Sequence, residues 1–191
     1  KVMSMGFLVD EETPMVWRGP MVLSALKQML FDVKWAPLDV LVLDMPPGTG
    51  DTQLSISQAV GLTGAVIVST PQDIALLDAK KGLNMFKKVN VPILGMVENM
   101  SAYICPECGH EAHIFSHGGA KKVAEELGIP CLAEIPLDLS VRENTDDGKP
   151  LVVSLPDSKP AAAYRELAKN VWQAIQKQED LKEQPVKIVI E

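Results

Sequence analysis

The sequence predicts an α/β protein: a doubly wound, mostly parallel sheet with helices on both faces. Three observations carry that expectation. Strand-length apolar runs recur along the 191 residues. Segments with helical periodicity separate them, and the runs are near-continuous in Val, Ile and Leu rather than alternating with polar residues. Strands of that composition are covered on both faces, as in parallel sheets. Strands that alternate with helices imply right-handed βαβ crossovers.

In chain order, VMSMGFLV (2–9) is the first expected strand. A helix starting near Pro20 follows, with Val22, Leu26, Met29 and Leu30 on one face. The stretch LDVLVLDMPPGTGDTQ (38–53) reads as a strand over 40–44 that ends on Asp44, then a Pro/Gly turn, then a helix that Asp51 caps at Thr52. GAVIVST (64–70) is the next strand, and a helix begun by Pro71 aligns Leu76, Ala79, Leu83 and Phe86. VPILGMV (91–97) is a strand. Val123, Ala124 and Leu127 mark a helix stopped by Gly128, and PCLAEI (130–135) is a strand. Tyr164, Leu167, Ala168, Val171 and Ile175 mark the last long helix. Residues 101–117, SAYICPECGHEAHIFSH, stand where a short connection is expected, and they hold two of the three cysteines and all three histidines. From Glu179 the tail EDLKEQPVKIVIE reads as a charged linker and a short strand-like end. The expected organisation is one domain over 1–178, with the cysteine loop inside it, and a tail at 179–191.

Composition narrows the function. A hydrophobic content of 47% with 23% charged residues suits an ordinary globular domain. A net charge of −7 excludes a nucleic-acid surface, which needs clustered Lys and Arg. The basic pairs Lys80-Lys81, Lys87-Lys88 and Lys121-Lys122 sit apart on expected helices, as solvated faces do. No uncharged apolar run reaches membrane-spanning length. Three cysteines with one close pair do not form a secreted disulfide framework, which points to a reducing compartment. The opening KVMSMGFLVD has neither a signal-peptide layout nor an initiator Met and reads like the middle of a longer chain.

Two segments carry chemistry. In open α/β sheets ligands sit beyond the carboxyl ends of strands, and a carboxylate such as Asp44 can there hold Mg²⁺ beside nucleotide phosphates. Gly48 and Gly50 let main-chain N–H groups approach a phosphate without a Cβ in the way. The same residues also serve as a plain strand-to-helix turn. In the second segment, Cys105 and Cys108 place two thiolates within reach of one soft metal centre, half of a four-ligand site. Three completions stay open. His110 and His113 could close a cramped Cys₂His₂ zinc knuckle, the pair could be a redox dithiol, or a second chain could bring two more cysteines. Cys131, inside an apolar strand, is expected in the core, and Trp17, Trp35 and Trp172 are expected as packing residues.

The segment DMPPGTGD resembles the Walker B and switch II region of the Mrp/ApbC family, MinD-like P-loop ATPases that carry iron–sulfur clusters. MSMGFLVD, VWRGPMV, GAVIVSTPQD, VPILGMVENMS, CPEC, HIFSHGGA and IPLDLSVRE match other blocks of that family in order, from about Met3 to near Gln176. The resemblance implies that Asp44 is the Walker B aspartate near Mg²⁺ and Gly48 the switch II glycine at the γ-phosphate of ATP. It implies that Asn99 reads the adenine edge, that Pro136 passes along the base, and that Cys105 and Cys108 bind the cluster. It further implies a homodimer bridged by a [4Fe-4S] cluster, delivery to apo iron–sulfur proteins with ATP gating transfer, no nucleic-acid or membrane partner, and residence in bacterial cytoplasm or the mitochondrial matrix. A departure accompanies these matches: no G-x-x-x-x-G-K-S/T phosphate loop occurs here. The chain therefore reads as an ATPase lacking its upstream phosphate-loop segment, expected to turn over no ATP alone. The rival reading is a zinc-stabilised structural or regulatory module with a dead nucleotide site. A membrane-acting partitioning ATPase ranks behind both, since the tail lacks a basic amphipathic helix.

Overall fold

A computed structural model describes residues 1–9, 19–45, 48 and 50–183. These residues belong to two compact units, Lys1–Gly61 and Leu62–Glu191.

The first unit is helical where it is regular. Helix α1 spans Gly19–Phe31 and α2 spans Asp51–Ala59, and the two pack together. After α1 the chain folds back, with the Trp35 indole N–H donating to the Met29 carbonyl at 3.0 Å. The Lys1 ammonium donates to the carbonyls of Lys34, Trp35 and Ala36 at 2.8–3.0 Å. Two expectations fail here. Residues 2–9 form no strand; Met5–Phe7 is a 3₁₀ turn entered at Ser4, whose hydroxyl accepts the Gly6 N–H at 3.3 Å. Residues 40–44 form no strand either. The reason is pairing. A strand exists by ladder hydrogen bonds to a neighbour, and the described residues of this unit supply none. Val42 accordingly stands 85% exposed despite its apolar surroundings in sequence. The cap of α2 also shifts: Gly50 takes the N-cap position and Asp51 begins the helix. Asp10, Trp17, Arg18, Pro46, Pro47, Thr49 and the end of the tail lie outside the described residues.

The second unit holds the sheet. Strand β1 (Ala65–Ser69) leads through α3 (Asp73–Lys88) to the long β2 (Ile93–Ile104). The two-residue β3 (Glu111–Ala112), α4 (Gly119–Leu127) and β4 (Cys131–Leu137) follow. Short helices α5 (Leu139–Asp146) and α6 (Leu151–Ser154) lead to α7 (Lys159–Glu183). β1 and β4 both pair with β2 in parallel, whereas β3 pairs antiparallel with the far end of β2. Helix α7 therefore continues past Glu179, where a linker was expected, and β2 takes in residues 101–104 of the expected loop.

Alternation along β2 assigns the faces. Val97 packs with Leu132 and Ile135 into a core that α7 covers through Ala163, Tyr164, Leu167 and Val171. Its neighbours Met96 and Glu98, both 0% exposed, point the other way, and Glu98 meets α4. Helices thus cover both faces of β2, which is why that strand reads as a continuous apolar run, whereas Val68 of β1 stands exposed. On the α7 side the Asn170 amide donates to the Leu132 carbonyl at 2.7 Å, tying the helix to β4. Gly128 ends α4 in the left-handed conformation, φ 65°, as its position in the sequence predicts.

Candidate functional site

β2 runs on past β1, pairs Tyr103 with Leu137 at the end of β4, and turns back as a hairpin, with Tyr103 opposite Ala112 and Ile104 opposite Glu111. The cysteine pair is the tip. Cys105 N–H donates to the His110 carbonyl at 2.9 Å, and Gly109 N–H donates to the Cys105 carbonyl at 2.9 Å. This tight reversal aims main-chain amides at the Cys105 sulfur. Hydrogen bonds from Cys108 N–H first, then Glu107 N–H and the Cys108 thiol, hold the Cys105 thiol below the usual range. Cys108 is exposed. The tip thus presents two accessible sulfurs, one of them pre-set toward thiolate, the form that binds soft metals.

Cys131, half-buried like Cys105, differs in its setting. It opens β4 and is half-buried rather than fully in the core. Burial first, then the carboxylates of Glu134 and Glu98, push its thiol up. That is the opposite setting to the amide-bonded Cys105 thiol.

The histidines do not complete the site. His113 Nδ1 hydrogen-bonds the Ser101 carbonyl at 3.1 Å, and its Nε2 lies 3.7 Å from the Glu111 carboxylate. Its ring meets that of His117 in a tilted contact, with centroids 4.2 Å apart and planes at 41°. His110 engages Cys105 through its carbonyl. Among the described residues no group of three or more His, Cys, Asp or Glu side chains is disposed to hold a metal. The hairpin offers two sulfurs and an open remainder.

Beside the hairpin lie the strand ends. Asn99 is half-buried on β2, with its Oδ1 accepting the Met100 N–H at 3.0 Å. Met100 takes φ 56°, and the β2–β4 register shifts between Asn99 and Tyr103. Asn99 sits opposite Ile135, so Pro136 is next along the facing strand. Pro136 lines a cavity of about 180 Å³ together with Ser101, Glu134, His113 and His117. In the first unit Asp44 is exposed, in a segment outside any helix or ladder. Gly48 takes φ 99°, a conformation that side-chain-bearing residues rarely adopt, which accounts for glycine there.

One residue escaped the sequence reading. Glu98 is wholly buried in the sheet, and its two carboxylate oxygens accept the N–H groups of Gly118 and Ala120 at 3.0 and 2.8 Å. It anchors the N-terminus of α4, where orphan amides and the helix dipole favour an anion. Gly119, between those two amides, is required by space: a Cβ would lie 2.5 Å from the Pro71 carbonyl oxygen. The available signal was a lone carboxylate inside the apolar run VPILGMVENMS.

With this geometry in place, the comparisons decide the family. A family model described as "ParA: NUBPL iron-transfer P-loop NTPase" matches residues 1–172. The chain belongs to the NUBPL iron-transfer P-loop NTPase family. Relatives of this NUBPL-type chain include the Arabidopsis thaliana "Iron-sulfur protein required for NADH dehydrogenase, mitochondrial", 55% identical over 97% of this chain and 58% of the relative. The mouse "Iron-sulfur cluster transfer protein NUBPL" is 58% identical over 88% of this chain and 53% of its own. The Escherichia coli K12 "Iron-sulfur cluster carrier protein" is 56% identical over 88% and 46%. The chain spans about half the length of the curated relatives it matches. Among solved structures, a nucleotide-binding protein from Archaeoglobus fulgidus in complex with ADP superposes with a TM-score of 0.65 at 36% identity, covering 78% of this chain and 57% of that one. The Pyrococcus furiosus cell division ATPase MinD gives 0.60 at 27% identity, covering 82% and 59%. The doubly wound α/β class expected from the strand–helix rhythm is therefore that of a MinD-like P-loop NTPase.

Proposed function

We propose that this chain carries a [4Fe-4S] cluster as cargo on Cys105 and Cys108 and passes it to apo iron–sulfur proteins. The observation that carries the reading is the hairpin tip. Two sulfurs stand at the end of a projecting turn, main-chain amides favour the charged form of one of them, and no described side chain closes the coordination shell. A carrier has to hold its cargo firmly enough to keep it and openly enough to hand it on. A fully enclosed four-ligand cage would serve structure instead. The names of the relatives, iron–sulfur carrier and transfer proteins, support the same reading.

The remaining shell is filled by a second copy, whose equivalent pair meets the first across a two-fold axis. With a phosphate-loop segment present, which these residues lack, ATP binding and hydrolysis gate the transfer. Asp44 is the residue that would hold Mg²⁺, a hard cation that an exposed carboxylate suits, and the Gly48 turn follows the γ-phosphate. Asn99 and Pro136, neighbours across β2 and β4, receive the adenine, for which the Asn99 amide has both a donor and an acceptor. The proposed nucleotide-binding domain runs over 1–178 and works in bacterial cytoplasm or a mitochondrial matrix. No helix among the described residues is long and apolar enough to cross a membrane.

Metal analysis of anaerobically purified protein tests the proposal. Iron with equimolar sulfide, lost on Cys105→Ala, supports a cluster carrier. Zinc without sulfide would overturn it in favour of a zinc-stabilised module.

A further inference from the structure

A two-residue ladder is a weak support for a metal-bearing tip. The β2–β3 pairing consists of Tyr103 with Ala112 and Ile104 with Glu111, extended at the tip by the Cys105 N–H to His110 carbonyl bond. β4 holds the β2 limb through Leu137 opposite Tyr103, but a return limb so short is marginal in water. Something else must fix the direction in which the sulfurs project. The residue placed to do so is His113, immediately after β3. Its Nδ1 faces the Ser101 carbonyl at 3.1 Å. A carbonyl only accepts, so Nδ1 carries the proton in that bond. The contact ties the return limb to β2 beyond the last ladder pair. The same ring packs in a tilted contact against His117, with centroids 4.2 Å apart. His117 directly precedes Gly118, whose N–H is held at 3.0 Å by the buried Glu98 carboxylate of β2.

We propose that His113 and His117 are positioning residues that brace the cysteine hairpin against the Glu98-anchored start of α4, and so govern how firmly the tip retains its metal. The inference rests on the reading of Cys105 and Cys108 as ligands. It assigns these histidines a role neither as ligands nor as inert surface. A ligand held by a fixed neighbour loses less on binding, and removing such outer support typically costs about 10–100-fold in metal affinity.

Two substitutions separate the contacts. His113→Phe keeps an aromatic ring but has no N–H for Ser101, whereas His113→Asn keeps a short amide donor near the Nδ1 position and loses the ring. Amide hydrogen exchange of the metal-free protein is measured over residues 103–112, with β1 and α3 as the internal control for global opening. Iron release from anaerobically reconstituted protein to a ferrous chelator is measured alongside. In His113→Phe, exchange over the hairpin is expected to rise about tenfold and iron release to quicken about tenfold, with β1 and α3 unchanged. His113→Asn is expected to recover most of the exchange protection. Unchanged hairpin exchange in His113→Phe overturns the proposal, and so does faster exchange without faster iron release. If the parent protein binds no iron through Cys105 and Cys108, the ligand reading fails and with it the metal-retaining role, while the exchange result still decides whether the brace exists.

Discussion

The Oε2 oxygen of Glu98 accepts the Ala120 backbone N–H at 2.8 Å in a site closed to solvent. Oε1 of the same carboxylate accepts the Gly118 N–H at 3.0 Å, so one acid joins the middle strand of the sheet to the first turn of α4. Hydrogen bonds to a charged acceptor are the stronger kind, and an orphaned buried amide costs a full desolvation penalty. Glu98→Gln keeps one acceptor and turns an NH₂ toward the second amide. The expected loss is about 2–3 kcal/mol, and Glu98→Ala should lose at least as much. Urea unfolding measures it, and a loss under about 0.5 kcal/mol would show that the carboxylate is not the anchor.

Two glycine substitutions should act with opposite sign. At Gly119 an added Cβ meets the Pro71 carbonyl oxygen at 2.5 Å and Leu76 Cδ1 at 2.7 Å. Main chain cannot step aside cheaply, so Gly119→Ala is expected to destabilise by about 1–3 kcal/mol. Gly82 lies inside α3 with nothing within 4 Å of its Cβ position. There Ala lowers the entropy of the unfolded chain, and Gly82→Ala should stabilise by about 0.5–1 kcal/mol. Thermal melts of both variants decide whether close packing or mere helix propensity sets each position.

Much of the second unit was legible because its signals are local. Leu76, Leu83 and Phe86 face inward at helical spacing, and Gly128 stops α4 where a left-handed cap is needed. Continuous apolar runs told that both faces of the central β2 are covered, while β1 leaves Val68 exposed. The misreadings share a cause as well. Val40–Leu43 has strand composition, but a ladder depends on a partner that composition does not report. The extension of β2 to Ile104 was hidden because residues 100–104, MSAYI, follow a left-handed Met100 at φ 56° and pair with a two-residue β3 that composition does not announce. The cysteine pair was legible as a motif, and its chemistry was not. Only the turn shows amides converging on Cys105, and only the packing shows His113 committed to Ser101. Glu98 was invisible because its partners lie about twenty residues away in sequence.

The thiols should titrate in opposite directions. Amide hydrogen bonds, that of Cys108 first, lower the Cys105 pKa, while burial raises that of Cys131. As pH rises from neutral, Cys105 should therefore become alkylated by iodoacetamide at lower pH than an unfolded thiol, and Cys131 at higher pH. The linkage follows. Stability gained through Cys105 is present above the unfolded thiol pKa and is lost as pH falls through the folded one. Stability gained through Cys131 is present below the unfolded value and is lost as pH rises through the folded one. Site-resolved mass spectrometry of alkylation against pH provides the check, and a Cys131 that reacts as early as Cys105 would contradict the assignment.

Cys131→Ala should separate packing from ligation. The side chain is small and half-buried, with only a long contact of 4.0 Å from its sulfur to the Ala133 carbonyl. A loss of about 1 kcal/mol or less is expected, with iron content unchanged. Iron content that falls with this substitution would make Cys131 a ligand and reverse the assignment.

The last prediction follows from ligand arithmetic. A [4Fe-4S] cluster takes four protein ligands, and one chain offers two at the hairpin tip, Cys105 and Cys108. Cys131 opens β4, a sheet strand rather than the hairpin, and its raised pKa disfavours thiolate. His113 is engaged with Ser101 and packed against His117. The economical completion is a second tip related by a two-fold axis. Reconstituted protein should then hold about one cluster per two chains, by the same ligand count. Loading should shift the population toward dimer, because a ligand that binds only the associated state favours that state by mass action. Cys105→Ala and Cys108→Ala should each abolish stable loading and leave far-UV circular dichroism unchanged, since the core of Val97, Leu132 and Ile135 under α7 does not include the tip. Iron and sulfide measured across a size-exclusion profile provide the check. A full cluster per chain in a monomer peak, or loading that survives the double cysteine substitution, would defeat the bridged dimer and return the histidines to candidacy as ligands.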